Sequence, residues 1–341
     1  MKEFIHTFGV ETYLTSSQVE QMDTVYGELF FYNYNEKKFV FHKYADHGFR
    51  MEVVYADRKV KDYDKEHRSF KATWIVTPAK LLYPGEPMQK LYTPESYTAA
   101  CMVLRKILEE IKKDSGVDLL RDAKIRRVDV AKDIETSSEV YSKEVIRLAK
   151  KALRQYGYKG WEAETDTEEW RNENAAFYNN HNQEVAAKIY NKLADLQNHG
   201  MDTSDYTRLL RFELALKRKY MVRHGYVQEN YLTMDNLPRT LSCIISQAQA
   251  LLQKHMISPL WDGKMLSKDL QKRVIRRYCG TKEKKYEKMM KYRRKCSRGG
   301  MADVERDPTI EGYFSEMGLS PLYTCGEVEE IPAFGALLEM G

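Results

Sequence analysis

The sequence predicts an α+β fold: an antiparallel sheet backed by helices, followed by a helical C-terminal part. Three observations predict it. Up to about residue 92, short runs rich in aromatic and β-branched residues follow one another in hairpin order. From there to about residue 220, helical and strand patterns alternate as helix, strand, helix, hairpin and strand. Beyond about residue 235 only helical spacing remains, which divides the chain into a domain at 1–234 and a helical, basic domain at 235–341.

The elements are read in order. ELFFYNY, KKFVFHKY, FRMEVVYA and FKATWIVT have the composition of strands. PESYTAACMVLRKILEEIKKDSG carries apolar residues at helical spacing, and Gly116 closes it. KIRRVDVAKDIE is a strand. SSEVYSKEVIRLAKKALRQYG is a helix, with Ser138 as its N-cap and Gly157 as its stop. NAAFYNN and EVAAKIYNK form a hairpin about the turn-like HNQ. A short helical stretch through LADLQNHG and the strand RLLRFELALKRK follow. LPRTLSCIISQAQALLQKH, SKDLQKRVIRRYCG and TKEKKYEKMMKYRRKCSRGG read as helices, and no strand is expected between 235 and Cys325.

Composition narrows the classes. The 341 residues are 43% hydrophobic, enough for one large or two ordinary cores. A formal net charge of +5 leans toward an anionic partner such as nucleic acid. The five cysteines are scattered with no C-x-x-C pair, which argues against a disulfide framework or a zinc site. No apolar run approaches the roughly 20 residues of a membrane span, and MKEFIHTFGVETYL lacks a signal peptide's apolar core. A soluble protein of the cytoplasm is expected.

Three strands share one property. In KIRRVDVAKD, Val128 and Val130 oppose Arg127, Asp129 and Asp133. In EVAAKIYNK, Ala187 and Ile189 oppose Lys188, Tyr190 and Lys192. In RLLRFELALK, Leu210, Phe212, Leu214 and Leu216 oppose Arg211, Glu213 and Lys217. If the strands are neighbours, one sheet face gathers carboxylates, a tyrosine and several cations. Such a set suits phosphodiester chemistry. Carboxylates hold hard ions such as Mg²⁺ or Mn²⁺, and the ion neutralises the scissile phosphate. A phenol with a pKa of about 10 needs help to attack, and Lys192 could stabilise the phenolate or the transition state. The plainer account is a wet sheet face carrying solvated cross-strand pairs.

The segments ATWIVTPAKLLYPGE, IRRVDVAKDIE with its following helix, VAAKIYNKLADLQ and LLRFELALKRKYMVRHG, together with KKYEKMMKYRRKCSRGGMADV, resemble the gene II/X family of phage and plasmid replication proteins. The resemblance covers roughly residues 70 to 300. It implies a nuclease core like that of rolling-circle initiators and relaxases. Such an enzyme nicks one strand of a supercoiled duplex origin, joins through tyrosine to the 5′ phosphate, and later religates the displaced strand. By motif, Tyr190 of KIYNK is the implied nucleophile and Lys192 its assisting lysine. Asp129 and Glu213 are the implied metal ligands, for Mg²⁺ or Mn²⁺, with Asp133 either a further carboxylate or a strand cap. Arg127, Lys188, Arg211 and Lys217 are the implied DNA contacts of the sheet. A host helicase, a single-strand-binding protein and a second copy of the chain are the implied partners, in a bacterial host's cytoplasm.

The chain departs from many such nucleases in having no His-hydrophobic-His pair among its eight histidines. Tyr178, in AAFYNN, is the rival nucleophile. His67 and His181 are expected in solvated loops, and Trp161 and Trp170 flank an acidic connector. Between Lys264 and Arg298 stand fifteen basic residues against three acidic ones, with tyrosines interleaved. Arg276, Arg277, Arg293, Arg294 and Lys295 are therefore expected at duplex phosphates. A mobilisation relaxase with the same chemistry and a non-catalytic DNA-binding regulator are the alternative functions.

Overall fold

A computed structural model describes residues 2–56, 70–136, 138–155, 159–160, 174–179, 184–227, 232–252, 254–255, 272–299, 305–317 and 319. The fold is α+β. Its strands are β1 (Phe4–Leu14), β2 (Phe30–Asn33), β3 (Lys38–Phe41), β4 (Phe49–Tyr55), β5 (Phe70–Val76), β6 (Lys124–Glu135), β7 (Lys159–Gly160), β8 (Ala175–Asn179), β9 (Val185–Asn191) and β10 (Leu209–Lys217). Its helices are α1 (Ser16–Tyr26), α2 (Pro78–Leu82), α3 (Pro94–Ser115), α4 (Glu139–Gln155), α5 (Lys192–Asn198), α6 (Arg218–Arg223), α7 (Leu237–Ser246), α8 (Ala248–Leu252), α9 (Glu283–Gly299) and α10 (Pro308–Glu316). A further helical segment covers 272–279.

The chain packs as two compact units, Lys2–Ala131 with Ala215–Gln249, and Lys132–Leu214 with Ala250–Gly341. Strands follow the order β2-β3-β4-β5-β1-β6 in the first and β6-β10-β9-β8-β7 in the second. Both β6 and β10 run from one unit into the other.

In the first unit the organising strand is β1, which the sequence reading passed over. It pairs antiparallel with β5 on one side and β6 on the other. Its alternation is clear only from Val10 to Leu14, because Phe4 and Ile5 are buried in succession and Gly9 is buried between Phe8 and Val10. Central strands covered on both faces lose the period-2 signal. The register on β6 slips at His6, so Ile5 faces Val130 while Thr7 faces Asp129. At this irregularity the Ile5 N–H donates to Tyr97 Oη at 2.6 Å, and that hydroxyl donates in turn to the Leu91 carbonyl at 2.6 Å.

Tyr97 comes from α3, whose sequence specifies both its ends. Thr93 accepts from the Ser96 N–H, Pro94 opens the first turn, and Lys112 and Lys113 sit in the last. Gly116, at φ 73°, takes the left-handed conformation that ends the helix. The stripe Tyr97, Cys101, Leu104, Leu108 and Ile111 is buried, and the helix packs against α1, α2 and α7.

In the second unit, β8 and β9 form the expected hairpin, with Ala175 opposite Tyr190 and Phe177 opposite Lys188. Helix α4 packs against both. Ser138 caps α4 by accepting from the Tyr141 N–H at 3.1 Å, and it also donates to the Met317 carbonyl. Two boundaries differ from the sequence reading. The KIYNK strand stops at Asn191, because the Asn191 side chain accepts from the Ala194 N–H and opens α5 at Lys192. The long helix read over 237–255 breaks at Gln247 into α7 and α8.

Replacing Tyr97 by Phe leaves the buried Ile5 N–H and Leu91 carbonyl without a hydroxyl between them. The expected loss is about 1–3 kcal/mol, read as a lower urea midpoint with an unchanged slope.

Candidate functional site

The polar residues that alternation placed on one face of β9 and β10 do meet. Tyr190 Oη donates to Glu213 Oε2 at 3.3 Å. Lys188 Nζ lies 3.2 Å from the other oxygen of Glu213. Lys188 and Tyr190 are two residues apart on β9, so both reach the same partner on β10. Toward the start of β10, Arg211 holds Asp133 of β6 through Nε–Oδ1 at 2.6 Å and a second bond to Oδ2 at 2.8 Å. Lys192 does not continue the strand face. It starts α5, binds Asp195 at 2.6 Å, and holds its ammonium 6.0 Å from the centre of the Tyr190 ring.

This face is neither open nor wet. Tyr190 is 7% exposed, Lys192 8%, Arg211 2%, Glu213 2% and Asp133 1%. Burial of charge is tolerable only when each charge is matched. Here Asp133 meets Arg211, Glu213 meets Lys188, and Asp195 meets Lys192. Three acids and three bases surround one neutral phenol. In place of solvated cross-strand pairs stands a largely buried network of paired charges, with Lys188 and Asp195 keeping part of their side chains in solvent.

The titration behaviour follows from that sealing. Burial pushes the Tyr190 phenol well above its ordinary value; Arg211 pulls it down, while Glu213, Asp195 and Asp133 raise it further. At neutral pH Tyr190 is therefore a phenol. Burial also lowers Lys192, with Arg211 acting in the same sense and Asp195 and Asp133 opposing. Burial works against the charge of Arg211, but Tyr190, Asp133 and Glu213 outweigh it and hold the group above its ordinary value.

Asp129 stands in the other compact unit. It accepts from Thr7 Oγ1 at 2.6 Å and from Arg127 Nε at 2.5 Å. Asp129, Asp133 and Glu213 thus each already face a cation. Among the described residues no three His, Cys, Asp or Glu side chains gather as a metal site. As they stand, these carboxylates do not fit together as a ligand set for a divalent ion.

The remaining sequence-derived positions divide by exposure. Lys217 is half-buried and lowered by burial, then by Arg127 and Arg126. Arg277 is half-buried, 3.8 Å from the buried Glu144, and Arg293 is buried. Arg276, Arg294 and Lys295 are exposed. His67, His181, Trp161, Trp170 and the side chain of Tyr178 lie outside the described residues.

Asp195 is a member of the network that the sequence reading missed. Its signal was the i,i+3 spacing from Lys192, visible only once α5 is taken to begin at Lys192.

No family model matches the chain, and no curated protein matches it. Among solved structures it is similar to a rolling circle replication initiator protein from Geobacillus stearothermophilus, at 12% identity and a TM-score of 0.32, over 75% of this chain and 85% of that one. It is also similar to TBP of Methanococcus jannaschii, at 13% identity and a TM-score of 0.29, over 71% of this chain and 98% of that one. Overlaps this loose, with two proteins so differently named, assign no function. The gene II/X resemblance rests on the quoted segments alone.

Removing one partner of the buried Asp133–Arg211 pair strands the other. Arg211→Met is expected to cost about 3–5 kcal/mol, and the double variant Asp133→Leu with Arg211→Met to recover most of it. Urea midpoints of the three proteins check this.

Proposed function

We propose that the chain is a DNA strand-nicking and strand-joining enzyme of the rolling-circle type, with Tyr190 as its nucleophile. The observation that carries this reading is the Tyr190 hydroxyl donating to Glu213 while Lys188 holds that carboxylate from its other side. A phenol kept protonated by burial needs a proton acceptor in contact, and Glu213 supplies one.

In the proposed step the phenol oxygen bonds to phosphorus and the bond to the 3′ oxygen breaks. The phenol proton passes to Glu213. Neutralising that carboxylate releases Lys188 to face the phosphate, and Lys192 stabilises charge on the transition state. The freed 3′ oxygen takes a proton from solvent and becomes the priming hydroxyl. Reversal rejoins the strand without ATP, because the phosphoester is retained on tyrosine.

The substrate in this reading is a supercoiled duplex origin and then its displaced single strand. A helicase, a single-strand-binding protein and a second copy of the chain are candidate partners in a bacterial cytoplasm. Among the described residues no helix is long and apolar enough to cross a membrane. A mobilisation relaxase would use the same chemistry and differs only in the DNA it is given.

A second reading, a DNA-binding regulator without catalysis, is favoured by one observation. Tyr190 is sealed and its neighbours are mutually satisfied, as in a buried structural network.

A nicking assay on supercoiled plasmid carrying the element's own intergenic region separates the two. It is run with Mg²⁺, with Mn²⁺ and with chelator, so that any divalent-ion requirement is read directly. Open circle and a nucleotide on the Tyr190 peptide, both lost in Tyr190→Phe, are expected. Tight DNA binding with no nick and no adduct would transfer the reading to the regulator. An adduct on Tyr178 would move the nucleophile across the hairpin.

The pH dependence is a further expectation. With Glu213 taking the proton, the nicking rate of the wild type is level from roughly pH 7 to 9. In Glu213→Gln the phenol must ionise unaided, and the rate climbs about tenfold per pH unit over the same range. Single-turnover rates at each pH test this.

A further inference from the structure

We propose that one face of α9 is a phosphate-tracking contact for duplex DNA, made by Lys284, Lys288, Lys291 and Lys295. The choice of ligand rests on the reading of the chain as a DNA-acting protein. The residues do not: they come from the helix geometry.

At 3.6 residues per turn, these four positions fall within an arc of about 60°. All four are exposed. The opposite side of α9 is buried through Met289, Met290, Tyr292, Arg293 and Cys296. The row therefore lies on the side away from the packed one, with Lys288 at its edge nearest α10.

The helix is also held in place. Tyr292 Oη binds Glu311 of α10 at 2.9 Å, and Lys288 lies 3.4 Å from Asp307, the N-cap of α10. Lys284, Lys291 and Lys295 have no ion-pair partner among the described residues. Elsewhere Lys38, Lys43, Lys112 and Lys143 are each spent on a carboxylate. The acidic residues of α9, Glu283 and Glu287, are exposed and leave the row itself wholly cationic.

The row extends about 16 Å along the helix axis, against a duplex that carries a charge every ~1.7 Å. Ammonium groups act as point charges and lack the planar fork that reads guanine edges. The surface fits backbone phosphates and carries no base readout. It also differs from the contact expected from sequence, since Arg293 of that set is buried and Lys284, Lys288 and Lys291 were not in it.

The test compares the full-length chain with the variant Lys284→Gln, Lys288→Gln, Lys291→Gln and Lys295→Gln. A control variant carries Lys2→Gln, Lys106→Gln, Lys112→Gln and Lys113→Gln, which removes equal charge from exposed positions of the other unit. Fluorescence anisotropy is measured with origin duplex and scrambled duplex across a salt series. Vesicles containing anionic lipid serve as the alternative polyanion.

The row variant is expected to bind both duplexes roughly tenfold or more weakly. Its log–log salt slope should fall by about 0.9 per lost contact, up to about 3.6 for all four, while the control shifts little. Row and control behaving alike would overturn the proposal. Loss on origin DNA alone would overturn it as well, because it would mean base reading. Lost vesicle binding with duplex binding intact would do the same. Repeating the series in Tyr190→Phe keeps this result separate from the nicking reading, since anisotropy requires no chemistry.

Discussion

A guanidinium that is almost cut off from water must find its counter-charge inside the protein. Arg211 finds it in Asp133, through two parallel bonds between β10 and β6. That requirement propagates along the sheet. With Asp133 committed to Arg211, Glu213 is left for β9, where it takes Lys188 on one oxygen and Tyr190 on the other. Lys192, turned out of the strand by the Asn191 cap, is balanced by Asp195 within its own helix. Every charge is placed by the one beside it, so no member can be changed without leaving another exposed to the cost of burial.

Much of this was legible in the sequence. Period-2 alternation in RLLRFELALK and EVAAKIYNK correctly grouped Arg211 with Glu213, and Lys188 with Tyr190, because strand geometry leaves no other choice. Some helix ends were legible, as at Ser138 and Gly116, while the caps at Thr15, Thr93 and Asn191 were not. What could not be read was burial. Alternation of polar and apolar residues predicts one wet face, whereas the polar face here is largely buried and its charges are paired. Strand β1 escaped notice for the converse reason. His6, Thr7, Glu11 and Thr12 break up its apolar residues, and buried residues fall on both faces, so it shows no clean half-buried pattern.

The sealed network also bears on function. A balanced set of charges has no net attraction for a phosphate, nor for a divalent ion. Recognition of DNA at such a site would require an ion pair to open, and the proton of Tyr190 is the lever that could open it. Affinity for the polyanion is then better supplied at a distance, by cations that have no partner to lose. Lys284, Lys291 and Lys295 of α9 meet that description among the described residues, while the lysines beside Tyr190 do not.

The way the two units share the chain has a consequence for synthesis. Residues 2–131 find the rest of their unit only at 215–249, and 132–214 find theirs only beyond 250. As the chain leaves the ribosome, the first unit stays incomplete until residue 249 has been made, and the second waits longer still. Strands such as β1 and β6 must meanwhile persist with their full set of neighbours unbuilt. Long-range pairing of this kind slows folding and leaves unpaired edges open to wrong partners. Yield in a foreign host should therefore depend on translation rate and chaperone supply more than on the final stability of the fold.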